Sequence, residues 1–315
     1  MKSTMVRGVT VSIALTTALA GVAACNSSDS SGSSGDGDKA GRKGVTRVSP
    51  IAALRSAERS TDGADSARIE STTTMGTLMS MKSRGVMAWA DGFTGNMTIT
   101  YTGGTMADTM RRMGSDSMEA RYLSDAYYAK MGDAFAEQAG GKHWIRYGYD
   151  DLAKFGGGSG ALLKDQMQNS SPNQSVKLLL ASGDVKKVGE ETVRGKRATH
   201  YAGTVDVSDL AARSSHLTDG QLSDMKKQFT QAGITTEDVD IWVDTEDLLV
   251  KAVSKAAMAS GTMSSTTYYS DYGVKVSAVA PPAGDTEDFK DILTKQGMTP
   301  GSGDTSTGSG TGSPS

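Results

Sequence analysis

The sequence predicts an α+β fold: one large antiparallel sheet with helices on one face. Three observations predict it. Segments of alternating apolar and polar residues, separated by Gly, Asp, Asn and Ser turns, fill much of 68–131 and return in later blocks. Between these blocks, apolar residues recur at helical spacing. The resulting order is strands, helices, strands, helix, strands, the plan of an α+β domain.

The elements follow in chain order. Ser49-Pro50 opens a helix, with Ser as N-cap and Pro in the first turn; Ile51, Leu54 and Ala57 form its apolar face. Residues 68–75 are rich in Thr and Ser at strand spacing and read as a strand. Segments 86–90, 97–101, 108–113, 118–123 and 127–131 continue a meander, and 143–147 adds another strand. A helical middle follows at 161–168 and 172–181, the second with Ser171 as N-cap. Strands return at 185–193 and 198–205. Thr218 to Gln221 matches a capping box, leading into a helix with Leu222, Met225 and Phe229 on one face and Gly233 as its stop. Residues 239–244, 249–258, 263–272 and 274–280 close the domain as strands.

The two ends have a different character. Lys2 and Arg7 precede a short run of apolar and small residues, then Val22-Ala23-Ala24-Cys25. A basic start, a short apolar stretch and small residues before a cut describe a secretory signal over 1–24, too short for a membrane span. The final four residues resemble a bacterial lipobox, which implies lipidation of Cys25, the chain's single cysteine. Multiple acyl chains on that cysteine would give stable anchoring. Residues 25–44 then read as the lipidated Cys with a flexible Ser/Gly tether, 45–297 as the folded domain, and 298–315 as a disordered Gly/Ser/Thr tail.

Composition narrows the function. The 315 residues carry 22% charged side chains and a net charge of −3. Removing the signal takes two basic residues and no acid, leaving 31 against 36 and a net of −5. That balance argues against a nucleic-acid partner, which would need a basic face. One cysteine and three histidines exclude a disulfide framework and leave little for a metal site, so neither cofactor nor metal is expected.

The second half carries a family likeness. Gly195-Lys196-Arg197-Ala198-Thr199-His200-Tyr201 leads to Gly203-Thr204-Val205-Asp206; Asp240-Ile241-Trp242-Val243-Asp244 follows, then Tyr269-Ser270-Asp271-Tyr272-Gly273 and Ala280-Pro281-Pro282. In order and spacing this resembles actinobacterial lipoproteins of the LppX/LprG type, which in turn resemble the periplasmic lipoprotein carrier LolA. The likeness spans about residues 50–289. It implies a large curved antiparallel sheet, a LolA-like half-barrel, with helices packed on its concave face. It also implies an apolar cavity for acyl chains such as palmitate, carried by a lipid or glycolipid that is moved across the cell envelope.

Some residues point the same way without the family. Alternation places Met97, Ile99 and Tyr101 on one face of their strand, and Met118, Ala120 and Tyr122 on one face of another. Methionine suits adaptable binding surfaces. Val176, Leu179 and Leu180 on the middle helix could face that wall. The candidate lipid-cavity residues are therefore Met97, Ile99, Tyr101, Met118, Tyr122, Val176, Leu179 and Leu180. Plain core filling accounts for any one of them equally simply.

No catalytic constellation stands out. His143, His200 and His216 are scattered, and His200 suits a structural hydrogen bond. Ser223 and Lys226 match Ser-x-x-Lys but lack companion motifs. The glycine-rich stretch 156–160 is not followed by Lys-Ser/Thr and reads as a mobile loop or lid. Asp238, Asp240 and Asp244 fail calcium-loop spacing, and Trp242 among them either caps the cavity or covers an edge. Arg111-Arg112 and Lys186-Lys187 are expected to be solvated. The expectation is a non-enzymatic, monomeric lipoprotein on the extracytoplasmic face of the cell membrane, with a lipid or glycolipid ligand and the membrane as partners. The alternative is an envelope scaffold with a filled core.

Overall fold

A computed structural model of the chain describes residues 49–155, 164, 171–206, 223, 230–295 and 297. The signal segment with Cys25, the tether, the glycine-rich stretch 156–160, nearly all of the expected helices at 161–168 and 218–229, and the tail lie outside the described residues.

Helix α1 spans Pro50–Asp62, and the Ser49 hydroxyl accepts from the Ala52 N–H at 3.2 Å, the cap its sequence predicts. Strands β1 (Ser66–Met75), β2 (Met79–Ala88) and β3 (Thr94–Gly103) form a meander. After helix α2 (Gly104–Arg112) come β4 (Ser117–Tyr122), β5 (Ala126–Lys130), α3 (Asp133–Gln138), β6 (Trp144–Gly148) and α4 (Tyr149–Phe155). Helix α5 (Asn173–Ser182) precedes β7 (Lys186–Val193) and β8 (Lys196–Asp206). Then follow β9 (Thr236–Asp244), β10 (Leu249–Met258), β11 (Gly261–Ser270), β12 (Thr286–Asp288) and α6 (Phe289–Lys295).

All twelve strands form one open sheet in the order β12-β6-β5-β4-β3-β2-β1-β11-β10-β9-β8-β7. It is the curved α+β half-barrel that the sequence predicts, with one departure. Strand β12 runs parallel to β6, Thr286 beside Trp144, so the sheet is mixed rather than wholly antiparallel. Strand β1 lies at the centre, pairing with β2 on one side and β11 on the other.

Three local expectations are overturned. Residues 108–113, expected as a strand, belong to α2 and its C-cap. Met106, Ala107, Met110 and Met113 recur at helical spacing there, and Ala107 and Met110 are the buried residues of the helix. Gly104 makes the turn into this helix at φ +81; a Cβ there would lie 2.6 Å from the Leu78 carbonyl. Residues 274–280, expected as a strand, join no ladder. Their carbonyls are taken by side chains instead: Asn96 Nδ2 donates to Ser277 O at 2.8 Å and Arg121 Nη1 to Val279 O at 2.9 Å. This strap carries the chain from β11 across to β12. Finally, Pro172 rather than Ser171 occupies the N-cap of α5, with no side-chain cap; Ser171 contributes only its carbonyl, to Gln174 N at 3.1 Å.

The core divides in two on one face of the sheet. The larger cluster joins Leu54 and Ala57 of α1 and Val176 and Leu179 of α5 to Val239 and Ile241 of β9 and their neighbours. The second joins Met110 of α2 and Leu152 of α4 to Met118 and Ala120 of β4 and Tyr127 of β5.

Candidate functional site

Strand register orders the inner face into rows. One row runs Met118, Ile99, Ser83, Ser71, Thr267, Ala252, Ile241, Tyr201 from β4 to β8. The next begins with Tyr101 and Met81. The pleat turns alternate residues inward, so Met97, Ile99 and Tyr101 share this face with Met118 and Tyr122. These five sequence-predicted residues converge on the second cluster, where Met118 is buried and the other four are partly buried. Val176, Leu179 and Leu180 belong to the first cluster instead. Val176 and Leu179 are fully enclosed, and Leu180 is partly buried against it. Tyr101 and Met106 touch both clusters and form the seam between them.

Methionine lines much of this surface: Met97, Met106, Met113 and Met131 pack against the second cluster, and Met75, Met79 and Met263 lie within the first. Unbranched thioethers rearrange at low cost, so such a surface can fit varied apolar shapes.

An aromatic ladder, not apparent from the sequence, crosses the same half. Phe93 meets Tyr122 at 5.5 Å between ring centroids, Tyr122 meets Tyr127 at 5.0 Å, Tyr127 meets Tyr147 at 5.7 Å, and Tyr147 meets Phe289 at 4.7 Å. Cross-strand pairing sets it: Tyr122 is opposite Tyr127, and Tyr127 is opposite Tyr147. Burial pushes the Tyr122 and Tyr147 phenols up to about 12 and Tyr127 well above its ordinary value, so all stay neutral. Tyr149, buried beside them, has no hydrogen-bond partner for its hydroxyl among the described residues.

The outer face is polar and already committed. His200 stacks on Trp242 at 4.2 Å and bonds Asp240 through Nε2 at 2.7 Å, the structural role its sequence suggests. Trp242 donates to Glu191 and lies 3.7 Å from the Lys251 ammonium. It therefore covers the outside of the sheet and does not cap the inner face. The three aspartates have separate tasks. Asp238 accepts from Thr204 at 2.7 Å, Asp240 holds His200, and Asp244 Oδ1 accepts from the Glu246 and Leu248 amides at 3.0 Å each. No group of His, Cys, Asp or Glu among the described residues could hold a metal. No helix among them is long and apolar enough to cross a membrane.

An open half-barrel with helices and an adaptable apolar lining on its inner face defines an α+β protein built on one large sheet. No family model matches the chain. It is 57% identical over 258 residues to a Streptomyces griseus 31.2 kDa protein from the rplA–rplJ intergenic region, covering 82% of this chain and 85% of that one. It is 48% identical over 310 residues to the Streptomyces coelicolor protein named "Putative lipoprotein SCO4650", covering 94% of this chain and all of that one. The chain belongs to the family of these two Streptomyces proteins. Solved structures similar to it include lipoprotein LppX of Mycobacterium tuberculosis, at TM-score 0.45 and 14% identity over 73% of this chain and 98% of that one. LprF of Mycobacterium bovis gives TM-score 0.45 and 15% identity over 74% and 97%.

Proposed function

We propose that the chain is a lipoprotein anchored through Cys25 on the extracytoplasmic face of the cell membrane, which holds the acyl chains of a lipid or glycolipid against its inner face. The observation that carries this reading is the methionine- and tyrosine-lined half of that face, where Met97, Ile99, Tyr101 and Tyr122 are only partly buried. The lipobox residues and the name of the S. coelicolor relative support the anchor. The domain limits read from the sequence, 1–24, 25–44, 45–297 and 298–315, belong to this reading. So does a monomer that binds neither nucleic acid nor cofactor.

The mechanism is partition rather than reaction. Moving acyl chains from water to an apolar lining gains about 0.8 kcal/mol per methylene, offset by the cost of ordering chain and side chains. Solvent extraction of protein purified from its host, followed by lipid mass spectrometry, tests the reading. Stoichiometric copurified lipid is the expected result. Protein free of lipid that also fails to bind added lipid would overturn it.

The α5 half of the face favours a second reading locally. Val176 and Leu179 fill space between α1, α5 and β8–β9, as a scaffold with a filled core would have it. A scaffold would bind no lipid in the same extraction.

A further inference from the structure

Between its two apolar clusters, the inner face carries hydroxyls. Thr73, Ser265 and Ser254 are consecutive in one register row across β1, β11 and β10. Ser83, Ser71 and Thr267 are consecutive in the adjacent row across β2, β1 and β11. Aliphatic and aromatic residues bound this field on every side: Ile99 and Met81 towards β3, Ala252 and Val239 towards β9, Met75 and Met263 below, and Ile69 and Tyr269 above.

Two members of the field are buried, Thr73 at 7% and Ser83 at 8% exposed, and the other four are partly buried. Thr73 and Ser265 bond each other at 3.1 Å. One row further, Glu237 is 3% exposed and points inward in line with Val239 and Ile241. It lies opposite Val205 and Ala256, hydrogen-bonds the Ser254 hydroxyl, and makes no ion pair among the described residues.

A surface that served only to seat helices would carry Val, Ile and Leu here, because buried hydroxyls and carboxyls gain little over apolar side chains even when they are hydrogen-bonded. The field spans four strands, about 14 Å at the usual strand spacing of about 4.8 Å. It separates one apolar region around β3–β5 from another around β8–β9.

Building on the lipid-binding reading above, we propose that the hydroxyl field and Glu237 are the polar seat of the cargo site, selecting a neutral acyl ester with free hydroxyl groups. Serine and threonine hydroxyls both donate and accept, so they match ester carbonyls and alcohols alike. The acyl arms extend from the seat onto the apolar regions at either side. A pure hydrocarbon would leave the seat unmet. A free fatty acid would set its carboxylate beside Glu237 and be disfavoured.

The test uses the full mature chain and displacement of a neutral apolar fluorophore, N-phenyl-1-naphthylamine. Wild type is expected to bind the fluorophore and to release it to dioleoylglycerol more readily than to oleate or squalene. The double variant Thr73→Val/Ser83→Ala should keep fluorophore affinity but lose about tenfold for dioleoylglycerol, the equivalent of one or two hydrogen bonds. Glu237→Gln should narrow the gap between dioleoylglycerol and oleate. If wild type binds neither fluorophore nor lipid, the carrier reading itself fails. If wild type binds both and the double variant keeps dioleoylglycerol affinity within about twofold, the seat is refuted while the carrier reading stands. Should the double variant not fold, the single variant Ser83→Ala decides between the same two results.

Discussion

Arg121 of β4 reaches across the outer face to donate to the Val279 carbonyl at 2.9 Å, while its guanidinium lies 4.5 Å from the Trp144 ring centroid. One side chain thus ties the strap to the sheet and covers the aromatic beneath it. Asn96 makes the parallel tie to Ser277 at 2.8 Å. Together they hold the crossing that delivers β12 to the edge of the sheet.

Removing both ties, Asn96→Ala with Arg121→Ala, should loosen residues 275–280 before anything else. Each exposed bond is worth about 0.5–1.5 kcal/mol, so a loss of about 1–3 kcal/mol is expected. Hydrogen exchange should speed up across the strap and β12 while β8–β10 keep their protection. Uniform loss of protection would mean that the strap is integral to the whole sheet.

On the reading proposed above, Cys25→Ala should abolish anchoring without touching the fold, because Cys25 stands well before the first described helix at Pro50. Fractionation should find the variant unprocessed by the lipoprotein pathway or released from tight membrane association, with an unchanged melting curve. A variant that still needs detergent would contradict the anchor.

Ile99→Asp places a carboxylate between Met118 and Ser83 on the inner face. If lipid occupies this face, the charge can hydrate in the empty protein, so stability falls by only about 1 kcal/mol while lipid binding is lost. Melts with and without lipid check it, since a bound lipid raises the wild-type midpoint. A loss of several kcal/mol with no lipid-induced rise in wild type would favour the filled scaffold.

Glu237 gives stability a pH dependence of defined sign. Burial raises its pKa above the ordinary 4.5, with the Ser254 hydroxyl opposing in part. An acid whose folded pKa is raised contributes its full stability below the unfolded pKa and loses it as pH rises through the folded one. Glu287 works in the opposite sense: its bonds to Lys142 and Lys295 hold its pKa down, so its contribution is lost on acidification. The difference between wild type and Glu237→Gln isolates the first effect. Relative to the variant, wild type should weaken steadily as pH rises from about 4.5 towards neutrality. Equal dependence in both proteins would show that Glu237 titrates normally and is not enclosed.

Much of this was legible in the sequence wherever alternation was strong. Met97-Thr98-Ile99-Thr100-Tyr101 declares both its strand and its inner face, and so does Val239 to Asp244. Residues 274–280 alternate as well, yet a strand also needs a ladder partner, and that depends on what lies alongside in space. In α2, strand propensity was read over a helical recurrence of methionines, and Gly104, which turns the chain, is a signal that could have corrected it. The five residues of β3 and β4 converge because neighbouring strands keep register. The Tyr122–Tyr127–Tyr147 ladder escaped because it needs the register of three strands at once. Glu237 escaped because it sits two residues before the apolar alternation begins, although its parity with Val239 marks it as inward.

The central position of β1 has a consequence in time. Ile69 pairs with Tyr269, 200 residues further along the chain. At synthesis rates of about 5–20 residues per second, β1 waits some 10–40 s for that partner. Closing so long a loop makes this pairing a late step, and the half-barrel cannot complete itself on a partial chain. A strand left waiting with an apolar face would recruit other chains. β1 presents Arg68, Glu70 and Thr72 on one side, and Ser71 and Thr73 interrupt Ile69 and Met75 on the other, so neither side is continuously apolar while it waits. The hydroxyls at the centre of the finished protein thus also lower the apolar character of the strand that waits longest for its partner.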